Sequence, residues 1–94
     1  MQDATCRGVV LKLLCELNSM SSQYQRGDLV QVVCNLTECD FDRITAQLIE
    51  VKLAEAQHQY SHLFDREMIE IKITDLGVKV VSKIIEPPIP IKLE

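Results

Sequence analysis

Cys34 and Cys39 are followed by His58 and His62, and these are the residue types of a Cys2His2 zinc site, which needs thiolate and imidazole donors at one tetrahedral centre. On a continuing helix His58 and His62 would share a face. The spacing argues against the site. Eighteen residues separate Cys39 from His58, against about 12 in a zinc finger, and Cys34 follows the apolar pair Val32-Val33. No metal ligand is therefore assigned. A redox reading meets a similar objection. Cys39 lies beside a helix start, where the dipole favours a thiolate, but Glu38 and Asp40 flank it, and carboxylates raise a thiol pKa. Cys6 and Cys15 fall among apolar residues, so all four cysteines are expected to be reduced. There is no Gly-rich phosphate loop, no G-x-S-x-G elbow and no motif pairing a nucleophile with a base. Neither catalysis nor a cofactor is expected.

Ninety-four residues with 47% hydrophobic content suffice for one core and are too few for two ordinary domains. With Phe41, Phe64, Tyr24 and Tyr60 as the aromatic residues, the core must be built from Leu, Ile and Val. The net charge of −4 works against nonspecific attraction to phosphate backbones. Apolar runs fall short of the roughly 20 residues that cross a bilayer, and the N-terminus lacks the pattern of a secretory signal. A cytoplasmic protein without membrane contact is the expectation. The closing Leu93-Glu94 resembles the pair left by a cloning junction ahead of an affinity tag.

These residues must be positioned by elements legible in the hydrophobic pattern. Cys6, Val10, Leu13, Leu14 and Leu17 predict a first helix over Asp3–Asn18, with Asp3 as N-cap. A short extended piece follows at Ser22–Gln25. Asp28 opens a second helix along Leu29, Val32, Val33 and Leu36, though the β-branched content of residues 29–33 also fits a strand. After a turn, Asp40 would cap a third helix with the stripe Phe41, Ile44, Leu48 and Val51, ending near Ala56 or later because no Gly or Pro interrupts it. Ile69, Ile71 and Ile73 alternate with charged residues and predict a strand over Met68–Thr74. Its partners would be Gln59–Leu63, through a hairpin around Phe64–Glu67, and Ser22–Gln25. Thr74-Asp75 offers the N-cap of a last helix bearing Leu76, Val80, Val81, Ile84 and Ile85. Pro87-Pro88-Ile89-Pro90 cannot continue it, so residues 1–86 are expected to form the domain and 87–94 a flexible tail.

This α+β order, together with Ile73-Thr74-Asp75-Leu76-Gly77, resembles winged helix-turn-helix domains, whose bacterial regulators of the MarR and PadR groups carry a similar L-T-x-x-G between the second wing strand and a C-terminal helix. The resemblance covers about residues 4–85 in pattern and five residues in letters. It implies a three-helix core with a small antiparallel β-hairpin wing and a C-terminal helix. Leu29–Cys34 would be the scaffold helix, Asp40–Ala56 the recognition helix and Phe64–Glu67 the wing tip.

A winged-helix regulator of transcription would contact double-stranded DNA through Arg43, Thr45 and Gln47, which lie off the apolar stripe near the helix start, and through Arg66 at the wing. It would dimerise through the first and last helices, since a chain this short has a marginal core. The competing reading is a protein-interaction module of the same fold. It rests on the third helix, where Asp40, Asp42, Glu50 and Glu55 outnumber Arg43 and Lys52, a poor surface for a polyanion. A DNA reader should gather Arg43, Lys52 and Arg66 into a basic surface. An interaction module should leave an apolar or acidic patch uncovered.

Overall fold

The structure is a computed structural model that describes residues 2–93. Its elements run α1 (Asp3–Met20), β1 (Gln25–Arg26), α2 (Gly27–Val33), α3 (Glu38–Glu50), β2 (Ala54–Ser61), β3 (Arg66–Ile73) and α4 (Asp75–Val81). The three strands form an antiparallel sheet of order β1-β3-β2. The core lies between this sheet and the helices, and it is aliphatic apart from Phe41, Cys6 and Cys34, with Val10, Leu11, Leu14, Ile44, Leu48, Leu53, Ile71 and Val80 almost wholly excluded from solvent.

On α1, Cys6, Val10 and Leu14 are buried at the expected spacing, joined by Leu11. Asp3 does not cap this helix. The N-cap position is Gln2, whose side chain makes no capping bond, and the Asp3 carboxylate turns instead to α3. Helix α2 is rotated relative to the expected face. Val30 points inward, whereas Leu29, Val32 and Val33 are 55%, 73% and 67% exposed. The reason is length. The helix lasts seven residues, so it can lay a single side-chain row on the core, and Val30 together with Cys34 just beyond it takes that row.

Helix α3 starts earlier and ends sooner than its pattern suggested. Its cap is Thr37, whose hydroxyl accepts from the Asp40 N–H at 3.1 Å, rather than Asp40 itself. At its end the Lys52 N–H donates to the Ile49 carbonyl and the Leu53 N–H to the Leu48 carbonyl, with Lys52 at φ 67°. That bonding is a Schellman motif with a left-handed residue at C′, and Leu53 and Leu48 supply its hydrophobic contact. Asn35 and Lys83 end α2 and α4 by the same pair of bonds at φ 56° and 62°. Left-handed backbone usually selects glycine, and sometimes Asn, so the ends at Lys52 and Lys83 carry no sequence signal of the usual kind.

Ending α3 at Glu50 releases Ala54–Gln57 to β2, and the hairpin pairs from Ala54↔Ile73 at its base to Ser61↔Arg66 at its tip. The turn is His62–Asp65, two residues ahead of its expected place. The strand expected at Ser22–Gln25 lies later, at Gln25–Arg26, sharing only Gln25 with that range, and pairs with β3 at Gln25↔Ile71 and Arg26↔Glu70.

Thr74 ties this base to α4. Its N–H donates to the Leu53 carbonyl at 3.1 Å, its hydroxyl donates to the Lys52 carbonyl at 2.6 Å, and the same hydroxyl oxygen accepts from the Gly77 N–H at 3.0 Å. Gly77 is required there, because a Cβ would lie 2.3 Å from the Leu53 carbonyl oxygen. The T-x-x-G spacing thus acquires a physical meaning as a cap and a close approach.

The C-terminal segment departs from the expectation of flexibility. The Lys92 N–H donates to the Ala4 carbonyl at 2.9 Å, and Arg7 donates to the Pro90 carbonyl at 2.8 Å. Ile91 and Leu93 pack against the core. Gly8 makes the approach possible, since a Cβ on it would fall 1.7 Å from the Lys92 carbonyl oxygen. Glu94 lies outside the described residues, as does Met1.

Gly77→Ala is expected to destabilise the fold by about 1–3 kcal/mol, the usual cost of overpacking, seen as a lowered urea midpoint. Gly8→Ala should also lower the midpoint, by less, and release residues 90–93 to fast hydrogen exchange.

Candidate functional site

The four residues expected to contact DNA do not form one surface. Arg43 lies between two carboxylates. Its Nη2 is 2.8 Å and its Nε 3.3 Å from the oxygens of Asp3, and its Nη1 is 2.9 Å from Asp40 Oδ1. These groups are solvent-exposed, so each pair adds little stability. Their consequence is orientation: the guanidinium fork is engaged along α1 and its charge is locally cancelled. Asp3 responds with a lowered pKa, caused first by its hydrogen bond from Arg43, and the Arg43 pKa is raised by the same bond.

Thr45 is 4% exposed, and its hydroxyl donates to the Phe41 carbonyl at 2.8 Å. This corrects its reading as a contact residue. A threonine can satisfy its hydroxyl within its own helix turn and so be buried on the core side. Gln47 faces α1, where its Oε1 accepts from Arg7 Nε at 2.7 Å. Arg66, at the start of β3, borders a cleft shared with Asp28, Glu38, Asp42 and Glu67. Lys52 sits in the turn after α3. The basic surface expected of a DNA reader is therefore not assembled, and the exposed side of α3 presents Glu38, Asp42 and Glu50. The part played by Asp3 and Arg7 escaped sequence reasoning, because their partners lie 40 residues away along the chain.

The cysteine and histidine pairs are likewise dispersed. His58 is on β2 opposite Ile69, and His62 is in the hairpin turn, its ring edge-on to Tyr60 at 5.2 Å. The shared helical face they would need does not form. Cys34 is buried and its thiol pKa is pushed up to about 11, by burial first and by Cys6 second, while Cys39 is exposed. Among the described residues, no group of three or more His, Cys, Asp or Glu side chains is placed to hold a metal ion. No helix among them is long and apolar enough to cross a membrane.

Part of what the fold leaves uncovered is apolar. Leu29 and Val33 of α2 face Leu13 and Leu17 of α1 across a groove of about 270 Å³, closed at one end by Gln25 and Arg26. Val9, Lys12 and Glu16 line a neighbouring cavity that shares Leu13 and Val33 with this groove. Arg26 links this groove to the hairpin. Its guanidinium pairs with Asp28 at 2.7 Å and lies 5.8 Å from the centre of the Phe64 ring. Beyond it Phe64 and Tyr60 are each 51% exposed and Leu63 is 85% exposed. The exposed apolar side chains thus lie on either side of the Arg26–Asp28 ion pair, in the groove and at the hairpin tip. This surface differs from the dimer face expected on the first and last helices, because α4 packs against α1 of its own chain.

No family model matches the chain, and neither a curated protein nor a solved structure does so. The surface must be interpreted from its own chemistry.

The Asp3–Arg43 bridge makes a pH prediction. Because the folded pKa of Asp3 is depressed, its contribution is present above the unfolded value of about 3.9 and is lost as pH falls through the folded value. Carboxyl-carbon NMR should find Asp3 titrating below the ordinary aspartate range, and Arg43→Ala should return it to that range.

Proposed function

We propose that this chain is a winged-helix-type domain that acts by binding protein through its α1–α2 face, rather than by reading DNA with α3. The order of helices and strands and the Thr74–Gly77 cap support the winged-helix reading. The observation that carries the functional choice is the outward row of Leu29, Val32 and Val33, each more than half exposed on a helix of seven residues. A helix that only supported a recognition helix would gain nothing from that row. Covering such side chains contributes on the order of 1 kcal/mol apiece, since they start half-exposed, and a partner that seats on them excludes water from the groove beside them.

Electrostatics supports the same choice. To grip a phosphate, Arg43 would have to leave both Asp3 and Asp40, and the approaching backbone would meet Glu38, Asp42 and Glu50. A transcription regulator that binds duplex DNA through α3 is the competing reading, and it predicts a salt-sensitive response there.

Two measurements separate them. In an amide-shift titration with random-sequence duplex DNA at low salt, no shifts are expected in α3 or at Arg66; salt-sensitive shifts confined to those positions would overturn the proposal. A photo-crosslinking amino acid placed at Val32 should yield protein adducts in cells, whereas one placed at Asp42 should not. Nucleic-acid adducts from position 42 would again favour the DNA reader.

A further inference from the structure

We infer that the outer edge of β2 pairs with the same edge of a second copy of this chain, antiparallel about a two-fold axis at His58, so that two sheets join into one. The inference concerns a different surface from the α1–α2 face and does not rest on the protein-binding reading of that face.

The sheet order β1-β3-β2 makes β2 an edge strand, and among the described residues no strand pairs with its outer side. It lacks the devices that normally keep an open edge from pairing with a second strand. Ala54–Ser61 contains no Lys and no Pro, and its register with β3 runs without a bulge. The direction of its backbone groups follows from the base of the hairpin. The Thr74 N–H bonds to the Leu53 carbonyl, which makes Leu53 a hydrogen-bonded position in the β2–β3 register. Antiparallel ladders alternate, so Glu55, Gln57, Gln59 and Ser61 bond inward to β3, whereas Ala54, Ala56, His58 and Tyr60 turn their N–H and C=O groups outward. Ala54 is 2% exposed, so the edge is closed at its base. Farther out it is open, with Ala56 half-buried and His58 and Tyr60 exposed.

Outward N–H and C=O groups are satisfied by another extended backbone, and this open set is symmetric about His58. An isologous interface needs such self-complementarity. With the two-fold axis at His58 and normal to the sheet, His58 pairs with its counterpart and Ala56 of each copy with Tyr60 of the other, so every outward group of the open stretch finds a partner. Moving the axis by one residue sets Tyr60 against buried Ala54, or Ala56 against His62 of the turn. The side chains agree with the His58 register. The small Ala56 leaves room for the Tyr60 ring. Glu55, the one carboxylate of β2, falls opposite Ser61 of the other copy, and Ser61 is itself opposite Arg66 of β3. Residues directly opposite share a face of the sheet, and neighbouring strands lie about 4.8 Å apart, so the long side chains of Glu55 and of the other copy's Arg66 can meet over the short serine. The two-fold axis forms this pair of opposite charges twice, and no like charges face each other across the edge.

Sedimentation equilibrium and amide hydrogen exchange on the intact chain test this together. The chain should form a concentration-dependent dimer and no higher species, because a two-fold contact closes on itself. In the dimer the amides of Ala56, His58 and Tyr60 should exchange about tenfold more slowly than in the dilute monomer, whereas those of Gln57 and Gln59, bonded to β3 in both states, should change less. His58→Pro removes an N–H that makes no bond within the monomer, a change an edge strand tolerates, and should leave a monomer with unchanged circular dichroism. Arg66→Glu should weaken the dimer about tenfold, since both facing pairs turn repulsive. A wild-type chain that stays monomeric at millimolar concentration overturns the inference. So does a dimer without the alternation in exchange, which is read on the wild-type chain and decides the matter even if His58→Pro fails to fold, and so does a dimer that neither substitution weakens. Val33→Glu should leave the dimer intact; a dimer that it abolishes lies on the α1–α2 face, which eliminates the β2 edge and leaves the protein-binding reading of that face standing. If the purified chain is monomeric and a photo-crosslinking amino acid at His58 captures a different protein, the edge belongs to a foreign strand and the second copy is eliminated.

Discussion

The close approach of Thr74 and Gly77 to the Lys52-Leu53 turn holds the architecture together. One hydroxyl donates to the carbonyl of Lys52 and accepts from the amide of Gly77, while the Thr74 amide takes the Leu53 carbonyl. Four things meet at this point: the end of α3, the first residue pair of the β2–β3 hairpin, the last residue of β3 and the start of α4. The hairpin leaves the body in a fixed direction because both of its strands are tied at their base. With α4 capped there, its Val80 is delivered to α1 and completes the core. A single short side chain does this because its oxygen can donate and accept at once, and a glycine allows the backbones to close to a distance that no Cβ would permit.

Around that fixed base the molecule sorts its charges in an unexpected way. The helix that would face DNA spends its one basic residue on two carboxylates, one from its own first turn and one from the start of α1. The uncovered apolar surface lies between α1 and α2, where α2 is too short to bury more than a single row. Brevity in α2 therefore has a consequence for the surface: the core takes Val30 and Cys34, and Leu29, Val32 and Val33 stay exposed. The C-terminal segment behaves differently. Although its prolines prevent helix, its backbone finds donors and acceptors along α1, and Ile91 and Leu93 find apolar ground.

Much of the fold was written in local pattern. The stripe of α1, the stripe Phe41, Ile44 and Leu48 of α3, the alternation through Ile71 and Ile73, and the Thr74 cap are period signals, and each depends only on which neighbours share a face. The ends of the helices were not legible in the same way. Asn35, Lys52 and Lys83 adopt left-handed backbone without glycine, so nothing marked where α3 stops and β2 begins. The face of α2 was also misjudged, because Leu29, Val32 and Val33 look like a buried stripe until the core beneath them is seen to be full.

Composition and periodicity by themselves determined the α+β class, the aliphatic nature of the core, the number of helices and the strand at Ile69–Ile73, since all of these follow from side-chain chemistry repeated at a fixed interval. Only the tertiary structure decided which of these side chains remain available. Arg43 reads as a cation until Asp3, 40 residues away, is folded against it. Thr45 reads as polar until its hydroxyl finds a carbonyl one turn back. The physical reason is the same in each case. A residue's type fixes what it is able to bind, but its solvent exposure and its partners are set by segments distant in the chain, and no local pattern carries that information.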